Sequence, residues 1–407
     1  MHYDIIVVGA GASGIMTAIT SKDRGLEVAI LEGSNRIGKK ILTTGNGRCN
    51  ITNKYSNIEN FHSLNNNFPK NVLNNFTVND TLNFFKSIGL PLVELEEGKM
   101  FPLSLQASSV LDILRFALEE RNIPIHLDTK INKVKYEKNI FKIFTKESET
   151  YTCDKLVLSC GGSSAPNTGS DGSGYALAKT LGHTIISPVP GLVQLKLDYS
   201  KLKALSGIKL QGSVEAFSNS IFIRKEYGEL LFTDYGISGP PILQISSLIS
   251  RDLYNKHQII LKIDMFPHID YESMKEFLDN HFGVFGYRSI SESLIGILNK
   301  KLIPILLKEA HITDIHKPCF NLSWKEREDI LNLVKSWKFN VYDTNSFASS
   351  QVTCGGIDTT EVNSITLESN KMKNLFFTGE ILDVNGDCGG FNLQWAWSSG
   401  YTVGMSL

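Results

Sequence analysis

The sequence predicts an α/β protein: a Rossmann-like domain in two sequence segments, with an inserted β-barrel-like domain and an inserted small helical domain. Three observations predict it. The chain opens on an apolar strand, a GxGxxG turn and a helix, its middle turns first β-rich and then helical, and a strand, a glycine pair and a helix return at its end. The 407 residues leave room for two or three domains at roughly 100–200 residues each.

Taken in order, residues 3–8 read as a strand, continuously apolar after Asp4, the pattern of a strand buried on both faces. Residues 13–24 follow as a helix and residues 28–31 as a second strand that ends at Glu32. The polar, glycine-rich loop 37–53 has no clear periodicity, and such length is uncommon unless a loop binds something. Helical stretches follow at 79–87 and 108–120, then short β-like runs over 131–158. The run 155–159 delivers Cys160, Gly161 and Gly162 to a sheet edge, and a turn and a helix occupy 172–181. After Pro188 and Pro190 the segment 191–265 is β-rich, with lengths and turns that suit a small barrel or sandwich. Residues 270–345 switch to helical periodicity. Strand character returns near 349–352, 365–367 and 375–378, before a last helix over 392–405. The domains expected are 1–190 with 346–407, a β-rich insert over 191–268 and a helical insert over 269–345.

Composition narrows the function. Hydrophobic residues make up 42% and charged residues 20%, which excludes a disordered chain. Forty-one basic against 42 acidic residues give a net charge of -1, so no global field draws in nucleic acid or an anionic membrane. The six cysteines form no CxxC pair and read as reduced thiols. The nine histidines show no HxH or HxxxH spacing, so no metal site is expected. No run has the length and apolarity of a membrane span, and a cytoplasmic location is expected.

The chemistry-bearing pattern starts at Gly9-Ala10-Gly11-Ala12-Ser13-Gly14. Gly9 makes the tight turn, Gly11 lets a pyrophosphate approach the backbone, and Gly14 allows close packing of helix on strand. The helix start at Ala12 and Ser13 offers unpaired N–H groups to phosphate. Glu32, at the end of the second strand, is placed to accept hydrogen bonds from ribose hydroxyls. NAD would suit this motif equally. The further glycine clusters at 161–162 and 379–390, each at a strand or helix end, favour one long ligand, and FAD fits better.

With these motifs in view, the chain resembles the three-domain bacterial flavoproteins called BaiN-like, which include aminoacetone oxidase and a ribosomal RNA dihydrouridine synthase. The resemblance rests on VVGAGASG, IGKKILTTGNGRCNITN, VLSCGGSS, TGSDGSGY, GELLFTDYGISGPPIL, VTCGGI and FFTGEILDVNGDCGGFNLQWAWSSG, which together span nearly the whole chain. It implies that Gly9, Gly11 and Gly14 hold the FAD pyrophosphate and Glu32 the adenosine ribose. Lys40, Gly47, Arg48, Cys49 and Asn50 would line the flavin side, and Gly161 and Gly162 would cover the adenosine half. Gly379, Glu380, Gly390, Phe391 and Asn392 would hold the ribityl chain and the ring. The chain departs from its relatives at Thr44 and Asn46, and at Asp234, where many carry histidine.

Candidates for chemistry are Arg48, Cys49 and Cys388. Arg48 would clamp an anion or stabilise negative charge on the flavin; the alternative is a loop anchor. Cys49, or less readily Cys388, would protonate a carbon after hydride transfer, although small buried cysteines are common packing residues. Asp383 and Asp387 read as turn residues or proton carriers, and Trp395 and Trp397 as core. The leading expectation is an FAD-dependent oxidoreductase, fed by NADH or NADPH, that reduces a C=C bond or oxidises a C–N bond by hydride transfer through flavin N5, on a small-molecule substrate or ribosomal RNA. Its alternatives are dihydrouridine synthesis on 23S ribosomal RNA, an oxygen-using amine oxidase, and an RNA- or ribosome-associated protein with structural FAD. Nothing in the sequence sets an oligomeric state.

Overall fold

The computed structural model describes residues 1–407. They divide into two compact units, Met1–Pro190 with Phe347–Leu407, and Gly191–Ser346.

The first unit is built on a seven-stranded sheet. Strand β1 (His2–Val8) lies parallel to β2 (Val28–Leu31) on one side and to Thr150–Leu158 on the other. Ile125–His126 extends the parallel part beyond β2, and Leu375–Phe377 pairs in parallel with Leu156–Leu158. The other half of that long strand, Thr150–Cys153, is instead antiparallel to Ile140–Thr145, which continues to Ile131–Glu137. The two halves differ as their sequences do. Residues Ile5–Val8 are apolar and buried throughout, as the middle of a covered parallel sheet requires, whereas Ile140–Thr145 alternates between buried and half-buried positions.

Helix α1 (Ala12–Asp23) is buried from Ser13 to Ser21 because the C-terminal helix, Phe391–Ser406, lies against it. Small residues set their approach. A Cβ on Gly400 would stand 2.4 Å from the Ser13 carbonyl oxygen, and the Thr17 hydroxyl donates to the Gly400 carbonyl at 3.1 Å. Trp395 and Trp397 on this helix are fully buried, as expected of core residues. Their indole N–H groups also donate to the carbonyls of Gly379 and Ile51, each at 3.0 Å.

The second unit contains a closed antiparallel barrel. Its strands run in the order Leu195–Asp198, Gly236–Ser238, Ile221–Phe232, Lys209–Ser218, Ile259–Asp264 and Trp337–Thr344, the last pairing back to the first. Helices Tyr271–Val284, Ile303–Glu309 and Trp324–Ser336 share one apolar cluster with the barrel.

Three local expectations are corrected. Residues 337–344, expected within the helical stretch, close the barrel; WKFNVYDT alternates, and Trp337, Phe339 and Val341 point into the core. The β-rich stretch contains a helix, Pro240–Tyr254, begun by two prolines that fit a first helical turn and carrying the fully buried stripe Ile242, Ile245 and Ile249. Residues 365–367 are a turn rather than a strand, because the Asn363 side chain accepts the Ile365 and Thr366 N–H groups.

Candidate functional site

The β1–α1 turn is held from beneath. Gly9 takes φ +106°, and a Cβ on it would stand 2.6 Å from the Ser159 carbonyl oxygen. A Cβ on Gly14 would stand 2.0 Å from the Gly9 carbonyl oxygen, so both positions exclude a side chain. Around Gly11, by contrast, a Cβ would meet nothing within 4 Å, so the backbone there faces open space. Helix α1 has no side-chain cap and no acid in its first turn, leaving its start near Ala12 and Ser13 electropositive. Half-buried Glu32 accepts the Ala10 N–H at 2.7 Å and the Ser34 N–H at 2.8 Å, which fixes its carboxylate beside the turn.

A second group of contacts joins three distant segments. Lys40 Nζ pairs with Glu380 at 2.7 Å, and the other Glu380 oxygen accepts the Thr353 N–H at 2.7 Å. The Thr353 hydroxyl oxygen accepts the Ser163 and Ser164 N–H groups, and a Cβ on Gly162 would strike it at 2.3 Å. Gly379 takes φ +73° against the Ser13 side chain, and its N–H donates to Ser399 Oγ at 2.9 Å. A side chain on Gly161 would meet the hydroxyl of buried Ser170, which has no protein partner.

The third group lies where the 37–53 loop meets the start of the C-terminal helix. Gly390, at φ +103°, precedes that helix, again with no side-chain cap and no acid in the first turn. A Cβ there would lie 2.6 Å from Thr52 and 2.9 Å from Asn50 Oδ1, so the two segments are in close contact. Asn50 Oδ1 is buried and has no protein partner. Asn392 clasps the preceding loop, accepting the Gly386 N–H at 2.7 Å and donating to the Gly386 and Asp387 carbonyls. Phe391 is buried edge-on against Phe61.

The candidates for chemistry differ in exposure. Arg48 is exposed, lies 4.9 Å over the Phe101 ring and forms no ion pair with a carboxylate. Gly47 beside it faces open space. Cys49 is fully buried in the apolar cluster, and burial pushes its thiol up to about 11, the Thr44 hydroxyl pulling only partly back. Burial also raises the Cys388 thiol. None of the six cysteines is in a disulfide. Asp234 is exposed in the second unit.

Sequence reasoning passed over several residues here. Thr353 is the hub described above. Gln394, fully buried, donates to Ser398 and the Phe76 carbonyl and accepts the hydroxyls of Thr52 and Thr81. His62 Nε2 lies 2.7 Å from Asp387 Oδ1, where the strand Phe61–His62 pairs with Asn385–Gly386. The Asn385–Gly386 pair belongs to the NGD turn; nothing local marks His62 as its partner.

Bound FAD is consistent with these observations. Two helix starts without caps, open backbone at Gly11, and the partnerless oxygens of Asn50 and Ser170 leave the site short of a polar, anionic ligand at separate points along the loops. No group of three or more His, Cys, Asp or Glu residues could hold a metal ion, and no helix is long and apolar enough to cross a membrane.

Comparison with known proteins agrees with the geometry. The family model described as "HI0933-like protein Rossmann domain" matches residues 3–406. A 3-dehydro-bile acid delta(4,6)-reductase of Clostridium scindens is 38% identical over 98% of this chain and 98% of its own length. A ribosomal RNA dihydrouridine synthase of Escherichia coli is 30% identical over 100% of this chain and 98% of its own. Among solved structures, 3-ketosteroid delta1-dehydrogenase from Sterolibacterium denitrificans superposes with a TM-score of 0.51 at 13% identity, over 99% of each chain, a likeness of fold.

Proposed function

The chain belongs to the HI0933-like protein family of FAD-dependent oxidoreductases, and on that premise we propose that it saturates a carbon–carbon double bond conjugated to a carbonyl. NADH or NADPH is the proposed electron donor. The observation that carries the reading is Asn50 Oδ1, left buried and partnerless where its loop meets Gly390, together with the open backbone at Gly11 and the close loop contact at Gly162. The names of the two relatives then share one chemical act, because a delta(4,6)-reductase and a dihydrouridine synthase both saturate a C=C bond.

In this reading Glu32 holds the adenosine ribose, and the N–H groups near Gly11, Ala12, Ser13 and Gly14 hold the pyrophosphate. Gly161 and Gly162 flank the adenosine half. Lys40, Glu380 and Gly379 hold the ribityl side, with Asn50, Gly390, Phe391 and Asn392 around the ring. Asn50 Oδ1 suits an N–H or O–H donor of the cofactor. When bound and reduced, FAD supplies a hydride. Exposed Arg48, with no acid paired to it, is free to attract an anionic substrate group such as a carboxylate or phosphate.

The test is anaerobic. NADH or NADPH should bleach the bound flavin, and a conjugated enone or a uridine-containing ribosomal RNA should restore its colour. Recovery with the enone alone favours a small-molecule substrate; recovery with RNA, and loss of dihydrouridine from 23S RNA in a strain lacking the gene, favours the RNA. Colour restored only by oxygen, after reduction by an amine, would defeat the proposal.

A further inference from the structure

Saturating a conjugated C=C bond needs a proton as well as a hydride, and the thiol of Cys49 is sealed in the core. Four histidines lie in the first unit, His2, His62, His126 and His183. His2 contacts Thr152 and Asp154 at the far end of the sheet, and His126 contacts Tyr3 and Tyr151. The His183 side chain is fully buried between Ser369 and Glu361. Only His62 is bound to the loop that leads into the C-terminal helix.

Several bonds fasten the segment carrying His62 to that loop. Asn53 Nδ2 donates to the Gly389 carbonyl at 3.0 Å, His62 meets Asp387 at 2.7 Å, and the Leu64 N–H donates to Asp383 at 3.0 Å. Asp387 is 5% exposed, while the His62 side chain is 26% exposed. A carboxylate only accepts, so Nε2 carries a proton toward Asp387, while Nδ1 has no protein hydrogen bond. Two large apolar residues on the same segment, Tyr55 and Leu64, are exposed at 63% and 66%. A buried acid, an oriented imidazole with one nitrogen left unbonded, and exposed apolar residues on the same segment are the parts of a proton-delivery site for a largely apolar substrate.

We propose that His62, oriented by Asp387, is the proton donor of the reaction, placing its Nδ1–H against the carbon next to the substrate carbonyl. This rests on the double-bond reading above. The hydride brings two electrons and one proton to the β-carbon, so the alkene is reduced and the flavin is left oxidised. The His62 Nδ1–H bond then breaks as the α-carbon–hydrogen bond forms. The ring is left neutral, its Nε2–H still on Asp387, and solvent returns the proton.

The test uses the FAD-loaded enzyme, reduced with dithionite, and 4-androstene-3,17-dione as the enone probe. His62→Gln and His62→Asn should keep the flavin absorbance but slow its reoxidation by the probe at least about 100-fold, the scale of general acid catalysis. Independently, carbethoxylation of His62 by diethylpyrocarbonate, followed by peptide mass spectrometry on oxidised holoenzyme, should slow several-fold when the probe is bound. Reoxidation at the wild-type rate in both variants, or no protection by the probe, overturns His62 as donor while leaving the double-bond reading intact. A wild-type enzyme that neither the probe nor a uridine-containing ribosomal RNA reoxidises overturns both; where only the RNA reoxidises it, the same variants are compared on the RNA with the same threshold.

Discussion

At Cys49 the backbone holds φ +60°, a left-handed conformation that non-glycine residues seldom adopt, and the thiol it aims inward is fully buried. With its thiol pushed up to about 11, little thiolate forms at neutral pH, and thiolate is what reacts. Iodoacetamide at pH 8 should therefore leave Cys49 unmodified in the folded protein and modify it in urea, as read by peptide mass; prompt labelling of the folded protein would contradict the burial. A half-buried group, Glu361, gives a pH signature. Burial alone would raise the Glu361 carboxyl, but Lys371 and the Thr184 N–H outweigh it and hold it at about 2. The unfolded chain takes up this proton near its ordinary value of 4.5, so the stabilisation is complete above that pH and is lost as pH falls toward 2. His183, lowered by burial, adds a loss that begins below its ordinary 6.5, because only the unfolded ring then protonates. Glu361→Gln should cost on the order of 2 kcal/mol at pH 7 and flatten the acid limb of urea-melt stability; an unchanged acid limb would show that the pair carries none of it. Glu32 was legible from sequence because GxGxxG fixes where the second strand ends. His62–Asp387 and Thr52–Gln394 were not, since they join residues 325 and 342 positions apart.

Between elements, α1 and the C-terminal helix approach closely. Both are buried around most of their circumference, and glycine and hydroxyl residues let the backbones come together. Alanine at Gly400 needs space already held by the Ser13 carbonyl, 2.4 Å from its Cβ, and at Gly404 by Thr20, at 2.5 Å. Gly400→Ala should destabilise by about 1–3 kcal/mol through overpacking. The same shift moves Ser13 and the start of α1, so flavin retention after gel filtration should fall with the melting temperature; an unchanged melting curve would mean that the helices yield freely. Periodicity revealed these helices and the parallel strands because each is long or apolar throughout. It missed the strand Trp337–Thr344, which follows directly on the helix Trp324–Ser336 with no breaker between them, and the helix Pro240–Tyr254, which lies between strands of the barrel.

For the whole molecule, the placement of the second unit within the chain follows from two pairings. The strand Ile185–Gly191, which leaves the first unit, pairs with Val352–Ile357, which returns to it. Within the second unit the two ends are likewise adjacent, the Asn345 N–H donating to the Gln194 carbonyl at 2.9 Å. Each unit therefore closes on itself at the junction, the condition under which a domain can be inserted or removed. Each also has its own apolar cluster, and the barrel leaves no open sheet edge. Residues 191–346 expressed alone should fold cooperatively, giving a single urea transition and dispersed amide resonances. The complementary chain, with Pro190 joined to Phe347 through a short glycine–serine linker, should still take up FAD and turn yellow, because every residue assigned to the cofactor lies in the first unit. A colourless first unit that is nonetheless folded by circular dichroism would show that FAD needs residues from both, and would move part of the cofactor site out of the loops around Gly11, Gly162 and Gly390.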